Sequence, residues 1–160
     1  MTEKISVIAR RELKLFPCRN IVVKVVYDTV VLNTRSRVEL HDVSHEVERV
    51  VAASGVKQGL VNVFSQHTTF ALYLNENESN LKRDVLEFLE KLAPQREGYH
   101  HDTIDPTANT FSHLRSILLS HVITLPIKDG KVVRGTWQSI IAAEFDGPRT
   151  RKLFVQVLGE

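Results

Sequence analysis

The chain is poor in cysteine and has no long hydrophobic run: Cys18 is the single cysteine among 160 residues. One cysteine excludes an internal disulfide and a cysteine-based metal cage. No apolar run approaches the roughly 20 residues that a membrane-spanning helix needs. The first residues, MTEKISVIARRELKLF, lack the long apolar segment and small-residue cleavage site of a signal peptide. We therefore expect a cytoplasmic protein with no membrane partner.

The chain also lacks a strong charge of one sign. Lys and Arg number 21 against 19 Asp and Glu, a net charge of +2, so net charge gives no reason to expect a nucleic-acid partner. Any anion site must come from a local cluster of basic residues. Hydrophobic residues make up 42% and charged residues 25%, which is ordinary for a globular protein. A chain of this length can bury one core.

The pattern of apolar residues predicts one domain over residues 21–160, preceded by an N-terminal extension over residues 1–20. Valine-rich residues 20–32 and the run RVEL at 37–40 predict a β-hairpin. Further strands are expected over 60–64 and 69–74. The last strands are expected in VITLPI, KVVRGTWQSIIAAEF and RKLFVQVLG, with Trp137 in the core.

Three helices are expected between these strands. The first begins at Ser44 and ends at Gly55, the second begins at Ser79 or Asn80 and ends before Pro94. The third covers about 109–119, with an inward face and an opposite polar face. The inward face would hold Phe111, Leu114 and Leu118, and the polar face Asn109, His113 and Ser116. Strand pairs separated by single helices predict an α+β fold with a mainly antiparallel sheet or sandwich and about three helices.

Three of the seven histidines occupy positions where chemistry could occur. His67 lies at the mouth of a predicted strand, His101 in an irregular loop and His113 on the third helix. Imidazoles from a strand, a loop and a helix can converge on one divalent cation, as in a three-ligand zinc site. No metalloprotease-type spacing accompanies them, so for each histidine alone a surface or capping role is the favoured interpretation.

Two carboxylates and two arginines complete the candidate residues. Glu76 and Glu144 each follow an alternating run, so each could act as acid or base at a sheet edge; taken alone, each is more typical of solvated surface. Arg149 and Arg151 follow the turn residues Asp146-Gly147-Pro148 at alternate positions. Two guanidiniums on one side of a strand suit a phosphate group. A sheet-edge charge pair is the equal alternative.

Several segments, in order along the chain, resemble the YjbQ-like family. They are HTTFALYLNEN, YHH, NTFSHLRSILL, GTWQSI and EFDGPRTRKLFVQVLG, and the resemblance runs from about residue 38 to residue 160. It implies a compact α+β domain that assembles as a homotrimer with clefts between subunits. It also implies secondary thiamine-phosphate synthase activity. That reaction joins a pyrimidine carbinol diphosphate to a thiazole phosphate and releases pyrophosphate.

The resemblance also assigns roles to residues of this chain. The family's polar positions fall on His67, Thr68, Asn75, Glu76, His101, Asn109, His113, Glu144, Arg149 and Arg151. The expected catalytic residues are His67, Glu76, His113 and Glu144. The expected cofactor- and substrate-binding residues are Asn75, Asn109, Arg149 and Arg151. We expect His67, His101 and His113 to bind a divalent metal, zinc or magnesium, or else an anion. Ser120-His121 departs from the family, which usually has a glycine and a small turn there.

Two other functions use the same residues. A metal-dependent hydrolase would act on a phosphorylated small molecule with water as the nucleophile. A non-catalytic trimer would only bind a metabolite. The resemblance places the synthase-like reaction first among the three.

Overall fold

The computed structural model describes residues 23–96 and 98–160 of the chain. The N-terminal extension expected over residues 1–20, with Cys18, lies outside the described residues. The strands are β1 Lys24–Asn33, β2 Glu39–Asp42, β3 Gln58–Ser65, β4 Phe70–Asn75, β5 Val122–Lys128, β6 Lys131–Val132, β7 Ser139–Glu144 and β8 Thr150–Gly159. The helices are α1 Ser44–Ser54, α2 Ser79–Leu92 and α3 Thr110–Leu118, and a short 3₁₀ turn covers His101–Thr103.

The strands form two antiparallel sheets, and the α+β prediction is confirmed. One sheet has the order β1-β8-β3-β5-β6 and the other the order β2-β7-β4. The hairpin predicted from residues 20–40 is wrong, because β2 pairs with β7 and β1 pairs with β8 along all ten of its residues. Alternating apolar residues identify a strand but not its partner, and β8 offers β1 a partner of equal length.

The main core lies between the two sheets and α1. One residue in two along β3, β5 and β8 points into this core, which explains the alternating burial of those strands. The other face of the three-stranded sheet is covered as well: Ala71, Ala143 and Phe145 pack there with Leu89 of α2. Burial on both faces explains why β7 reads as the continuous apolar run IIAA rather than as an alternating strand.

The first two helices begin and end close to the predicted residues. α1 ends at Gly55, whose left-handed φ of 73° suits glycine. The residue that caps α2 is Glu78, one position before the expected residues; its carboxylate accepts hydrogen bonds from the backbone N–H groups of Asn80 and Leu81, both at 2.8 Å.

The predicted inward face of α3 is wrong. Leu114 and Leu118 are 36% and 52% exposed, whereas Arg115 and Ser116 are buried beside Phe111. Arg115 can be buried because its guanidinium lies 4.7 Å from the centre of the Phe111 ring and its Nε donates to the carbonyl of Ala93 at 3.0 Å. The helix therefore turns its leucines outward.

The long strand predicted over 131–145 is interrupted. Backbone N–H of Gln138 donates to the carbonyl of Gly135 at 3.0 Å, which makes a turn between β6 and β7. Trp137 lies in this turn and is 72% exposed, so its expected place in the core is wrong. Among the described residues, no helix is both long enough and apolar enough to cross a membrane.

Candidate functional site

A buried ion pair between Glu144 and Arg151 holds the C-terminal turn in place. Glu144 is fully buried and Arg151 is 4% exposed. Arg151 Nε donates to Glu144 Oε2 at 2.6 Å, and Thr34 Oγ1 donates to the same oxygen at 3.1 Å. The other carboxylate oxygen accepts from the backbone N–H of Asp146 at 2.8 Å. Glu144 thus holds β8 and the turn together, and its carboxylate is not accessible to a substrate.

Arg149 belongs to a separate, more open cluster. Its Nε donates to the backbone carbonyl of Asp146 at 2.7 Å and its Nη2 to the Asp146 carboxylate at 2.8 Å. Asn109 Nδ2 donates to the same carboxylate at 3.1 Å, while Asn109 Oδ1 is buried without a partner among the described residues. The side chain of Arg149 remains 48% exposed. The two arginines are therefore not an equivalent pair: Arg149 faces solvent and Arg151 is enclosed with Glu144.

His101 and His113 lie beside this cluster and face each other. Their ring centres are 5.1 Å apart and their planes are nearly perpendicular, at 83°. His101 Nε2 lies 3.8 Å from Asp105 Oδ2. Burial and the neighbouring His101 ring lower the pKa of His113, and the carboxylates of Asp146 and Asp105 oppose that shift. His113 is thereby favoured in its neutral form, as a proton acceptor or metal ligand requires.

His67 is held in a different place, against the beginning of β8. Its Nε2 accepts a hydrogen bond from the backbone N–H of Lys152 at 2.9 Å. Burial and the charge of Arg151 lower the pKa of His67, so the neutral ring is favoured. A neutral imidazole that accepts through Nε2 carries its hydrogen on Nδ1. The nitrogen most often used for metal binding is therefore already occupied.

The predicted three-histidine metal site does not fit this arrangement within one chain. Nowhere in residues 23–96 and 98–160 do three or more metal-binding side chains come together in a group that could hold an ion. His101 and His113 form a pair with Asp105 nearby, and His67 is bound to Lys152 instead. Sequence spacing could not show this, because it does not fix the direction in which a loop carries His101.

Asn75 and Glu76 lie at the opposite end of β4 from the buried ion pair. Phe70 is the register partner of Glu144, whereas Asn75 pairs with Ser139 at the far end of β7. At about 3.4 Å per residue, Glu76 is roughly 20 Å from Glu144 within the same chain. Glu76 is exposed, and Asn75 Oδ1 accepts from its backbone N–H at 2.9 Å.

Sequence reasoning missed two carboxylates, Asp146 and Asp105. The sequence predicts only a turn at Asp146, yet the Asp146 carboxylate accepts hydrogen bonds from both Asn109 and Arg149. The spacing of Asp146 and Arg149 could have indicated this contact, because an arginine three positions after an acidic residue can form an ion pair with it across a turn. Asp105 lies in a segment with no periodicity, so no pattern pointed to it.

The family comparison agrees with this fold. The family model described as UPF0047 protein YjbQ-like matches residues 28–160. The chain belongs to this family. A UPF0047 protein of Archaeoglobus fulgidus is 46% identical over 127 residues, which cover 79% of this chain and 97% of that protein. The UPF0047 protein YugU of Bacillus subtilis is 30% identical over 132 residues, covering 82% and 98%.

Solved structures of similar proteins have the same architecture. A YbjQ-like protein of unknown function from Sulfolobus solfataricus superposes with a TM-score of 0.84 at 36% identity, covering 87% of this chain and all of that one. The hypothetical protein APE1520 of Aeropyrum pernix gives a TM-score of 0.80 at 32% identity, covering 84% and 99%. The predicted family is therefore confirmed.

Proposed function

We propose that the protein is a thiamine-phosphate synthase-like transferase that couples a pyrimidine diphosphate to a thiazole phosphate. The observation that carries this proposal is the environment of Arg149, which is half exposed and oriented by the carboxylate of Asp146, a carboxylate that also acts on the pKa of the neutral-favoured His113. A guanidinium held in this way can bind a diphosphate with forked hydrogen bonds. The resemblance of the surrounding segments to the family supplies the reaction.

The proposed reaction is a substitution at the methylene carbon of the pyrimidine. The carbon–oxygen bond to the diphosphate breaks, and pyrophosphate leaves with both bonding electrons. The thiazole nitrogen then gives its lone pair to the carbon and becomes positively charged. Arg149 stabilises the charge that develops on the leaving group, as fixed cationic donors do in phosphate chemistry. Asn109 keeps Asp146 in position to orient Arg149.

The other residues contribute in different ways. Glu144 and Arg151 support the turn that carries Arg149, and His101 and His113 would bind or move a proton near Asp146. Glu76 and Asn75 are too far from Arg149 to join it within one chain. In the proposed homotrimer they would line the cleft from a neighbouring subunit.

We propose magnesium as the divalent metal of the reaction. One chain does not supply a three-histidine zinc site, so no step is assigned to zinc. Magnesium is commonly held by one or two carboxylates together with substrate phosphates and needs no dedicated protein cage. A magnesium ion would accompany the diphosphate of the substrate, and a chelator would then suppress activity.

The direct test is an assay of the purified protein with both precursors, with the product identified by mass. We expect Arg149→Ala to lower kcat/KM at least 100-fold, or about 2.7 kcal/mol of transition-state stabilisation. His45, exposed on α1, provides the control His45→Ala, which should retain full activity. Absence of product above that of the Arg149→Ala variant would refute the proposal, and phosphate release from either precursor alone would indicate the hydrolase.

We also propose that the protein is a homotrimer that buries the outer face of its five-stranded sheet. The large apolar residues of this face that are at least 39% exposed are Val25, Tyr27, Val31, Leu60, Phe64, Val122 and Leu158. Register places Leu60 beside Leu158 and Phe64 beside Val122, and the polar row of Asn62, Gln156 and Thr124 lies between these two apolar rows. Exposed apolar side chains that are grouped on one face often mark an interface between protein chains. A sheet face shared among three copies would remove these side chains from water.

We further propose the cytoplasm as the site of action. The support is chemical: the phosphorylated substrates of the proposed reaction are charged and do not cross a membrane unaided.

A further inference from the structure

A cavity of about 330 Å³ is formed by the loop between α2 and α3 together with Arg37, which precedes β2. Its lining residues are Arg37, Gln95, Arg96, Gly98, Asp102 and Ala108. The volume lies at the lower end of the range of small-molecule sites. None of these residues belongs to the five-stranded sheet, so the cavity is not part of the proposed homotrimer interface.

Arg37 lines the cavity with a guanidinium that is fixed in place. Its central carbon lies 5.1 Å from the centre of the Phe111 ring, and its Nη2 donates to the carbonyls of Thr107 at 3.0 Å and Ala108 at 3.3 Å. Its Nε is enclosed, so that atom cannot reach a ligand. Nη1 has no hydrogen-bond partner among the described residues and, unlike Nε, is not enclosed. Nη1 is therefore the donor that Arg37 offers to a ligand.

Arg96 lines the same cavity and is also held by an aromatic ring. Its guanidinium carbon lies 4.6 Å from the centre of the Tyr99 ring, and the Tyr99 hydroxyl donates to the carbonyl of Pro94 at 2.9 Å, which fixes the ring. Within residues 23–96 and 98–160, neither Arg37 nor Arg96 forms an ion pair. Guanidiniums that are already held in place lose little conformational freedom when they bind an anion.

One carboxylate lines the cavity together with the two arginines. The Oδ1 atom of Asp102 accepts hydrogen bonds from the backbone N–H of Thr110 at 3.2 Å and from the Thr110 hydroxyl. In the part of the chain that the structure describes, Oδ2 accepts no hydrogen bond, and the residue is only half-buried. Asp102 Oδ2 can therefore accept a hydrogen bond from a ligand that carries an N–H donor.

The charges of the lining residues indicate which ligand fits. Two guanidiniums and one carboxylate give two positive charges and one negative charge, a net charge of +1. A phosphate monoester is mainly a dianion at neutral pH, because its second pKa is about 6. With an added ammonium group its net charge is about −1, which matches the lining. A monoester without the ammonium group brings an excess of negative charge, and an amino acid without a phosphate leaves one guanidinium without a counter-charge.

We propose that this cavity binds a small phosphate monoester that carries an amino group in its ammonium form. Arg37 Nη1 and the guanidinium of Arg96 donate to the phosphate oxygens, a contact for which the shape of a guanidinium is suited. The ammonium group donates to Asp102 Oδ2. Arg149 does not line the cavity, so binding at this site does not depend on the proposed transferase reaction.

The test uses phosphoethanolamine as the probe and measures its binding to the purified full chain by calorimetry at neutral pH. Two matched compounds each lack one feature: ethyl phosphate has no ammonium group, and glycerophosphoethanolamine is a diester, as in a lipid headgroup, with one negative charge fewer. We expect saturable binding of phosphoethanolamine that is at least tenfold tighter than that of either compound. No saturable binding, or equal binding of ethyl phosphate or of the diester, would overturn the proposal.

The first variant locates the phosphate. Arg96→Gln removes an exposed guanidinium and should weaken phosphoethanolamine binding at least tenfold. The matched control is Arg49→Gln, an exposed position of α1 that does not line the cavity, and it should bind as the unmodified protein does. Unchanged binding in Arg96→Gln would mean that the ligand binds elsewhere, and the proposal would be wrong.

The second variant locates the ammonium group. Asp102→Asn keeps an oxygen that can accept from Thr110 but removes the negative charge. It should weaken the binding of phosphoethanolamine and tighten that of ethyl phosphate, so that the tenfold preference disappears. A preference that persists in Asp102→Asn would refute the role of this carboxylate and with it the proposed ligand. If Asp102→Asn fails to fold, the result for Arg96→Gln and the preference of the unmodified protein decide.

Discussion

At the scale of single residues, the strongest constraint is the ion pair of Arg151 and Glu144, which is closed to solvent. Arg151→Ala leaves a fully buried carboxylate with no counter-charge. Removing one partner of a buried pair usually costs about 3–5 kcal/mol, so we expect a loss of stability of this size. Urea unfolding followed by circular dichroism measures it.

The control for this experiment is the neighbouring arginine. Arg149→Ala removes an ion pair whose guanidinium is half exposed, and such pairs contribute at most about 1 kcal/mol. The double variant Glu144→Gln with Arg151→Met should be less destabilised than Arg151→Ala, because it leaves no buried charge. Equal stability of Arg151→Ala and Arg149→Ala would contradict the account of the buried pair.

His67 should make stability depend on pH. Burial and Arg151 lower its pKa in the folded protein below the value of about 6.5 expected for the unfolded chain. At a pH below 6.5 the unfolded chain binds a proton that the folded chain does not, so acid favours unfolding. The free energy of unfolding should therefore be highest above pH 6.5 and fall as the pH decreases through that value.

Comparison of unfolding at pH 7.5 and pH 5.5 tests this, with His67→Gln as the informative variant. Its loss of stability between the two pH values should be smaller than that of the unmodified protein, although His113, whose pKa is also lowered, keeps part of the dependence. An identical pH dependence in both proteins would mean that His67 titrates normally when folded.

At the scale of elements, the beginning of α2 depends on one carboxylate. Glu78 accepts hydrogen bonds from the backbone N–H groups of Asn80 and Leu81, and these bonds lower its pKa. Glu78→Ala should lower the midpoint of thermal unfolding, because two N–H groups at the helix start lose their partner. Differential scanning calorimetry measures the midpoint.

The matched variant is Glu78→Gln, which keeps an acceptor oxygen but removes the charge. The midpoint of thermal unfolding of Glu78→Gln should lie between those of the unmodified protein and Glu78→Ala. The pKa of Glu78 is lower in the folded protein than in the unfolded chain. The stability that the Glu78 charge provides is therefore complete above the pKa of the unfolded chain, and it is lost as the pH falls through the pKa of the folded protein. Equal midpoints for all three proteins at neutral pH would show that another group caps the helix.

The elements were largely predictable where a local pattern decides them. The ends of α1 and α2 follow from capping residues and glycine or proline stops, which act within a few positions. The pairing of β1 with β8 and the outward leucines of α3 were not predictable. Both depend on contacts distant in sequence: the ten-residue match with β8, and the contact of Arg115 with the carbonyl of Ala93.

At the scale of the whole molecule, the exposed sheet face should determine the mass in solution. Tyr27 is 57% exposed on β1, the edge strand of that face, and stacks on Phe154 with ring centres 5.3 Å apart. Tyr27→Arg would place a charge in the proposed interface, at a cost that no partner compensates. Light scattering should give three times 18.2 kDa for the unmodified protein and a lower mass for this variant.

The control is an equally disruptive charge on another apolar surface. Ile117 is 71% exposed on the outer side of α3, and Ile117→Arg should leave the mass unchanged. A monomeric unmodified protein would refute the homotrimer. A trimer that survives Tyr27→Arg but dissociates with Ile117→Arg would assign the interface to the helix surface.

The sequence predicted which residues could belong to the candidate site, but it did not predict which of them lie close together in the fold. Residue type and resemblance selected Asn109, His113 and Arg149, which the fold brings near Asp146. The same reasoning grouped His67 and Glu76 with them. Within one chain, strand length separates Glu76 from the cluster and the backbone of β8 binds His67, and neither effect is visible without the sheet register.

The dipeptide Ser120-His121 joins the two sheets through its backbone. The Ser120 carbonyl accepts from Leu72 N–H of the three-stranded sheet at 2.7 Å, and the His121 carbonyl accepts from Ser65 N–H of the five-stranded sheet at 2.8 Å. The carbonyls of two adjacent residues thus link the two sheets by backbone hydrogen bonds, in addition to the packing of side chains between them. Both bonds use backbone atoms, so this link between the sheets does not depend on which side chains occupy positions 120 and 121.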